Sequence, residues 1–275
     1  MNGSTIEKTT PPVKVLTIAG SDSGGAAGLQ ADLKTFTLLG VYGMSVVTAV
    51  TAQNSLAVTA VHPLPPAFVA AQLDAVLSDY GAAAVKTGFI GWEELVEIIA
   101  DRLAAYATPN RLVDPVLVNH RGESMFGPAV TEAYRRHLLP LADLLTPNRR
   151  EAELLLNRPV TTLSEAAEAA RRLADQGAKA VLIKSLRVGD ELVDLLFDGR
   201  TDHYFRAAHI ETANTHGSGD MLTAAVTAYR AQDIPLAAAV QQAHALTQRA
   251  IAAAVTWRLG AGHGPVAIAS QSGKW

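Results

Sequence analysis

The stretch VKVLTIAGSDSGGAAGLQADLKTFTLLG, residues 13–40, decides the fold. It opens with a short apolar run ending in glycine, the pattern of a buried parallel strand. A loop of small residues follows, and then Leu29, Leu33, Phe36 and Leu39 recur at helical spacing. Gly40 stands where a helix C-cap belongs. Strand, glycine loop and helix in that order predict the first unit of an α/β sheet.

The alternation continues down the chain. Strands are expected at 44–52, 82–89, 111–118, 142–147 and 179–185. Helices are expected at 65–80 behind Pro65-Pro66, at 92–106, from 148 onward, and at 166–177. Thr162 and Glu165 stand at capping-box spacing ahead of the last of these. Segments 191–198 and 202–208 have the pattern of a hairpin at a sheet edge, and beyond residue 217 the chain reads as helical and alanine-rich. The whole predicts an α/β fold with a mainly parallel central sheet and helices on both faces. No linker, repeat or charge block divides it, so residues 13–275 read as one domain behind a polar, disordered tail at 1–12 that ends in Pro11-Pro12.

Composition narrows the function. The 275 residues are 49% hydrophobic and 18% charged, enough for a substantial core. A net charge of −3 gives no electrostatic case for nucleic acid or an anionic membrane as partner. No apolar run reaches membrane-spanning length, and the first twelve residues lack the hydrophobic segment of a secretion signal. With no cysteine, disulfides and thiolate chemistry are excluded. A cytoplasmic enzyme or binding protein for a small molecule is expected.

Open α/β sheets bind ligands beyond the carboxyl ends of their strands. Chemically capable segments recur there: Gly20–Gly28, Gln53-Asn54, Lys86–Phe89, Asp114, Thr146–Glu151, Lys184 and Gly217–Asp220. The glycines at 20, 24, 25 and 28 fit neither a dinucleotide fingerprint nor a P-loop, but they let backbone approach a flat ligand. Asn148 and Glu151 share the first turn of a helix, where they form an ordinary cap or order magnesium-bound water near a triphosphate. Asp114 precedes a proline, either to hold a cation or to form a turn, and Lys184 ends a strand where its ammonium could meet phosphate. The eight histidines show no metal-ligand spacing, and GAGHGP at 260–265 reads as a flexible turn. In HGSGD, residues 216–220, Gly217, Ser218 and Gly219 would open a long apolar helix whose free N–H groups bind a transferring phosphoryl group. Asp220 at the same place could take the proton of an attacking alcohol.

Taken together, these segments resemble a known set. LTIAGSDSGGAAGLQADLKTFTLLGVYGMSVVTAVTAQNS (16–55) closely resembles the signature of bacterial hydroxymethylpyrimidine/phosphomethylpyrimidine kinases, of the ribokinase-like superfamily. VKTGFIG, VDPV, LLPLADLLTPNRREAELL, NTHGSGD and GAGHGP resemble further family segments in the same order, so the likeness runs from residue 13 to about 266. The resemblance implies ATP- and magnesium-dependent phosphorylation of the hydroxymethyl group of a small heteroaromatic ring in thiamine synthesis, by a homodimer. Related members phosphorylate pyridoxal-type vitamers. It assigns Gly20, Asp32, Gln53, Phe89 and the backbone of Val50 or Thr51 to the ring pocket. Asn148, Glu151 and Lys184 fall at magnesium and phosphate, with Asp114 a further metal candidate, and Gly217–Gly219 form the anion hole.

Three departures from the family pattern bear on the substrate. Asp220 replaces the family's usual cysteine; aspartate is the usual base in the wider superfamily, including another group of pyridoxal kinases. Lys184-Ser185-Leu186-Arg187 replaces Lys-Gly-Gly-His, and Asn119-His120-Arg121-Gly122-Glu123 replaces Ala-Lys-Ser-Gly-Asp, which puts Arg121 in the role of a phosphate-neutralising lysine. Kinase, pyridoxal-type kinase and a non-catalytic pyrimidine-binding relative are the readings these residues leave.

Overall fold

A computed structural model describes residues 10–268. Residues 1–9 of the expected tail and 269–275 of the expected domain lie outside the described residues. The strands in chain order are β1 (Lys14–Ser21), β2 (Tyr42–Gln53), β3 (Val58–Pro63), β4 (Ala84–Thr87) and β5 (Arg111–Val113). After them come β6 (Leu144–Leu145), β7 (Val181–Val188), β8 (Glu191–Phe197) and β9 (Asp202–Ala208). The helices are α1 (Gly28–Leu38), α2 (Pro66–Asp79), α3 (Glu93–Ala105) and α4 (Pro128–Ala133). The second half adds α5 (Arg149–Leu156), α6 (Leu163–Asp175), α7 (Ser218–Ala231) and α8 (Leu236–Ala254).

All nine strands join one sheet in the order β3-β2-β1-β4-β5-β6-β7-β8-β9. The run from β2 through β1 and β4 to β7 is parallel; β3, β8 and β9 are antiparallel additions at the two edges. The strand order reverses between β1 and β4. In a sheet of this kind that switch point opens a crevice at the strands' carboxyl ends, and the site lies there.

Alternation along the strands separates the two faces. Val113, Leu145, Val181, Ile183 and Leu195 pack with α2, α3, α5 and α6 on one side. Their neighbours Leu112, Leu144, Leu182 and Leu196 pack with α7 and α8 on the other. Each such side chain gains about 1.5–3 kcal/mol on burial, so a one-residue slip would forfeit both faces at once. Val15 and Phe36 seat α1 beside α7 on the second face.

The caps fall where the residue types require them. Asn148 and Thr162 each accept a hydrogen bond from the N–H three residues on, and Glu151 and Glu165 return it, forming two complete capping boxes. Gly40 lies just past α1 at φ +71°, a left-handed position that suits glycine.

The structure departs from the expected elements in four places. β3 is an additional strand, exposed along its whole length, so it carries no hydrophobic alternation. The strand expected over 111–118 ends at Val113, because Pro115 has no N–H to donate and Asp114 turns its side chain to Lys184. A helical segment at 128–141 was not anticipated; it runs from α4 through a π turn at Tyr134–Leu138 into a short 3-10 turn at Leu139–Leu141. The GAGHGP turn is not loose. Gly262 N–H donates to Ser55 Oγ at 3.1 Å and His263 N–H to the Ser55 carbonyl at 2.8 Å. Among the described residues no helix is long and apolar enough to cross a membrane.

Candidate active site

The crevice floor begins with the loop after β1. Asp22, almost fully buried, accepts N–H bonds from Gly24 at 2.8 Å, Ala26 at 2.8 Å and Ala27 at 2.9 Å, so one carboxylate fixes the whole glycine loop. That loop packs directly onto the start of α7. A Cβ on Gly217 would stand 1.9 Å from the Ala26 carbonyl oxygen, and Gly217 sits at φ +79°. Only glycine satisfies both the contact and the dihedral.

Behind Gly217, Asn214 donates from Nδ2 to the carbonyls of Ala254 at 2.7 Å and Trp257 at 3.1 Å, tying the approach to α7 to the end of α8. Met221 makes the first intrahelical bond of α7, to Gly217. The amides of Gly219 and Asp220 come before it and have no acceptor inside the helix. With no side chain on Gly217 or Gly219, this end of α7 is shaped to receive an anion.

Two ammoniums meet it. Lys184, buried at the bend of β7, donates to Asp114 Oδ1 at 2.7 Å and stands 3.6 Å from where a Cβ of Gly219 would be. The Thr223 hydroxyl donates to the other Asp114 oxygen at 3.2 Å. Lys86, on β4 and with no exposed side-chain surface, lies 2.8 Å from Asp32 Oδ1, 2.9 Å from Asp32 Oδ2 and 3.4 Å from Asp220 Oδ1. Thr17 on β1 donates to Asp32 at 2.6 Å. Burial opposes both ammoniums, yet their carboxylate neighbours outweigh it and hold each above the usual lysine range.

The carboxylates show the reverse. Burial pushes Asp32 up to about 7; Lys86 pulls it back and Asp220 pushes it further. Burial likewise pushes Glu151 up to about 8, with Lys184 opposing and Asp114 adding to the rise. Four carboxylates (Asp32, Asp114, Glu151 and Asp220) stand against two ammoniums, so all four ionise together only where a further cation joins them. A magnesium ion that keeps most of its waters and leans on one or two carboxylates plus phosphate fits this donor set.

Around the ring-side wall, Phe89 lies across Gly20; a Cβ there would come within 2.9 Å of the phenyl ring. Trp92 and Phe126 flank Phe89 at centroid distances of 6.1 and 5.6 Å. Val50 is exposed on β2 beside Ser21, whose carbonyl accepts the Thr51 hydroxyl at 3.0 Å. Gln53 Nε2 contacts His216 Nε2 at 3.0 Å. His216, His263 and His120 then lie in series, their rings tilted by 37° with centroids 5.2 and 5.4 Å apart, which brings the 119–123 turn against the 260–265 segment.

The structure therefore gathers Gly20, Val50, Gln53 and Phe89 on one wall, and Asn148, Glu151, Lys184, Asp114 and Gly217–Asp220 on the other. Asp32 lies beneath, with no exposed surface. Arg121 is exposed on the 119–123 turn and enters no ion pair among the described residues. The sequence places Lys86 and Asp22 only within the capable segments 86–89 and 20–28, with no individual role, and gives His216 none. A lysine inside the apolar run AAAVKTGF is the signal that singles out the first.

Comparison with known proteins identifies the family and the fold. A family model described as phosphomethylpyrimidine kinase matches residues 22–267. The chain is 46% identical over 253 residues to a hydroxymethylpyrimidine/phosphomethylpyrimidine kinase of Rhizobium meliloti, covering 91% of this chain and 95% of that one. It is 47% identical over 258 residues to the thiamine biosynthesis bifunctional protein ThiED of Geobacter sulfurreducens; this covers 93% of the chain but only 52% of that longer protein. Among solved structures, Staphylococcus aureus pyridoxal kinase in complex with AMP-PCP and pyridoxal superposes with a TM-score of 0.84 at 35% identity, over 94% of this chain and 93% of the other. The fold is ribokinase-like.

Glu151 offers a direct check on the buried charge. Its native form keeps the proton up to about pH 8, whereas the unfolded chain releases it near 4.5. Its contribution to stability is thus complete below pH 4.5 and is lost as the pH rises through 8. In metal-free buffer we expect the melting temperature to fall between pH 5.5 and 8.5, and to fall less in Glu151→Gln, whose amide can still serve the capping box. Parallel pH slopes for the two proteins would contradict the assignment.

Proposed function

Because this chain belongs to the phosphomethylpyrimidine kinase family, we propose that it transfers the γ-phosphoryl group of ATP to the hydroxymethyl oxygen of 4-amino-5-hydroxymethyl-2-methylpyrimidine. A second transfer, to the resulting monophosphate, completes the diphosphate used in thiamine biosynthesis. The observation that carries phosphoryl transfer is Asp220, set at the glycine-bounded start of α7 between Lys86 and Lys184; the pyrimidine as acceptor rests on the family match over residues 22–267.

The chemistry follows from the geometry. Phe89, packed directly on Gly20, offers a flat face for a ring to lie against, with Val50 and Gln53 along its edge. Asp220 accepts the hydroxyl proton as the oxygen attacks phosphorus. The amides of Gly219 and Asp220 and the Lys184 ammonium hold the charge that builds on the transferring group. Asn148, with Asp114 and Glu151, would hold magnesium through water, and the ion would supply charge neutralisation on the polyphosphate. Arg121 would reach a substrate phosphate from the rim. The enzyme works in the cytoplasm.

A pyridoxal, pyridoxine or pyridoxamine kinase is the second reading, favoured by the structural match to a pyridoxal kinase and by aspartate at 220. Coupled ADP-release assays with each vitamer decide between them. We expect turnover of the pyrimidine, and a kcat about 10²–10⁴-fold lower in Asp220→Asn, the range for a general base. Turnover of pyridoxal with none of the pyrimidine would overturn the substrate assignment.

The reading includes a homodimer formed through β3. This edge strand is exposed along its length and carries Val58 and Val61, and Leu56, Val50 and Phe68 are exposed as well. The opposite edge, β9, is guarded by ion pairs from Asp202 to Arg171 and from Arg206 to Glu191, as edges that avoid pairing usually are. Light scattering should give twice the chain mass of 28.9 kDa, and Val58→Lys/Val61→Lys should give the monomer. A monomeric wild type, or a dimer that survives both lysines, would rule this edge out.

A further inference from the structure

We infer that Lys86 is the positioning residue for Asp220, with Asp32 as the sealed counter-charge that lets it serve; the inference rests on the reading of Asp220 as the base. β4 places Lys86 between Val85 and Thr87, where all three residues are essentially buried. An aliphatic residue would satisfy packing at such a position, and a desolvated ammonium is tolerated only when it is paired.

One carboxylate would pair it. Asp32 does so with both oxygens, yet Lys86 also reaches Asp220 Oδ1 at 3.4 Å. The three side chains form a graded series: Asp32 and Lys86 have no exposed side-chain surface, whereas Asp220 is 17% exposed. Only the outermost member can meet a ligand.

The ammonium engages Oδ1 of Asp220 and leaves Oδ2 to accept the hydroxymethyl proton. In the transfer the O–H bond of the substrate breaks toward Oδ2 and the oxygen–phosphorus bond forms. The bond to the β–γ bridging oxygen breaks and leaves its electron pair on ADP. Lys86 keeps its protons throughout. Thr17, holding Asp32 from β1, completes the support. The same geometry places Asp32 behind the ring wall rather than on it.

The test compares four proteins by ADP release with MgATP and the hydroxymethylpyrimidine: wild type, Asp220→Asn, the neutral pair Asp32→Asn/Lys86→Met, and the triple variant. Removing both buried charges together avoids stranding one of them, and melting temperature checks the fold. We expect the neutral pair to lose about 10²-fold in kcat, the scale of a misplaced catalytic group, with both KM values within threefold of wild type. The triple variant should be no slower than Asp220→Asn, because Lys86 acts through Asp220.

A neutral pair within twofold of wild-type kcat, or a triple variant that loses a further large factor, would overturn the inference while leaving the base intact. If Asp220→Asn itself stays within threefold of wild type, the base reading falls first and takes the inference with it. Should the neutral pair fail to fold, Asp32→Asn alone decides. Without its counter-charge the ammonium falls wholly on Asp220, so kcat should drop at least tenfold with the pyrimidine KM within threefold; a kcat within twofold of wild type, or a tenfold rise in KM, would overturn the inference.

Discussion

Charge buried at the switch point is the constraint on which the rest of this site depends. β1, β4 and β7 deliver Thr17, Lys86 and Lys184 to one end of the sheet, α1 and α7 deliver Asp32 and Asp220, and the turn after β5 delivers Asp114. None of these charges would be tolerated alone in such a place, since an unpaired buried charge costs several kcal/mol. Each therefore fixes its neighbours. The hydrophobic layers on either side of the sheet set the strand register, and the register brings the charges within reach of one another.

The second constraint is backbone against backbone. Asp22 pins the loop after β1, the loop presses the Ala26 carbonyl on Gly217, and Asn214 ties the same junction to the end of α8. The two walls of the crevice are thus joined through rigid contacts rather than through a mobile linker. A phosphoryl site built on helix amides needs this, because its donors must already point at the charge when it develops.

Much of this was legible in the sequence, for local reasons. The strand–loop–helix opening, the Thr162–Glu165 capping box, the 191–208 hairpin and the GSGD start of α7 are written within short windows by periodicity and cap chemistry. What escaped is non-local or lacks a pattern. β3 is exposed throughout, so no alternation marks it. The 111–118 strand was overextended because Asp114 answers to Lys184, 70 residues away. Lys86 finds its partners 54 residues before it and 134 after it, a pairing no window contains. GAGHGP looked loose because its anchor, Ser55, lies on the far side of the sequence.

A crystal structure with 4-amino-5-hydroxymethyl-2-methylpyrimidine, magnesium and a non-hydrolysable ATP analogue tests the site most directly. It should show an Asp220 oxygen within about 3 Å of the hydroxymethyl oxygen and the terminal phosphate on the amides of Gly219 and Asp220. Lys86 should still bridge Asp220 to Asp32. A hydroxymethyl group out of reach of Asp220, with the carboxylate turned to solvent and Lys86 on some other partner, would contradict the assignment of Asp220 as the base.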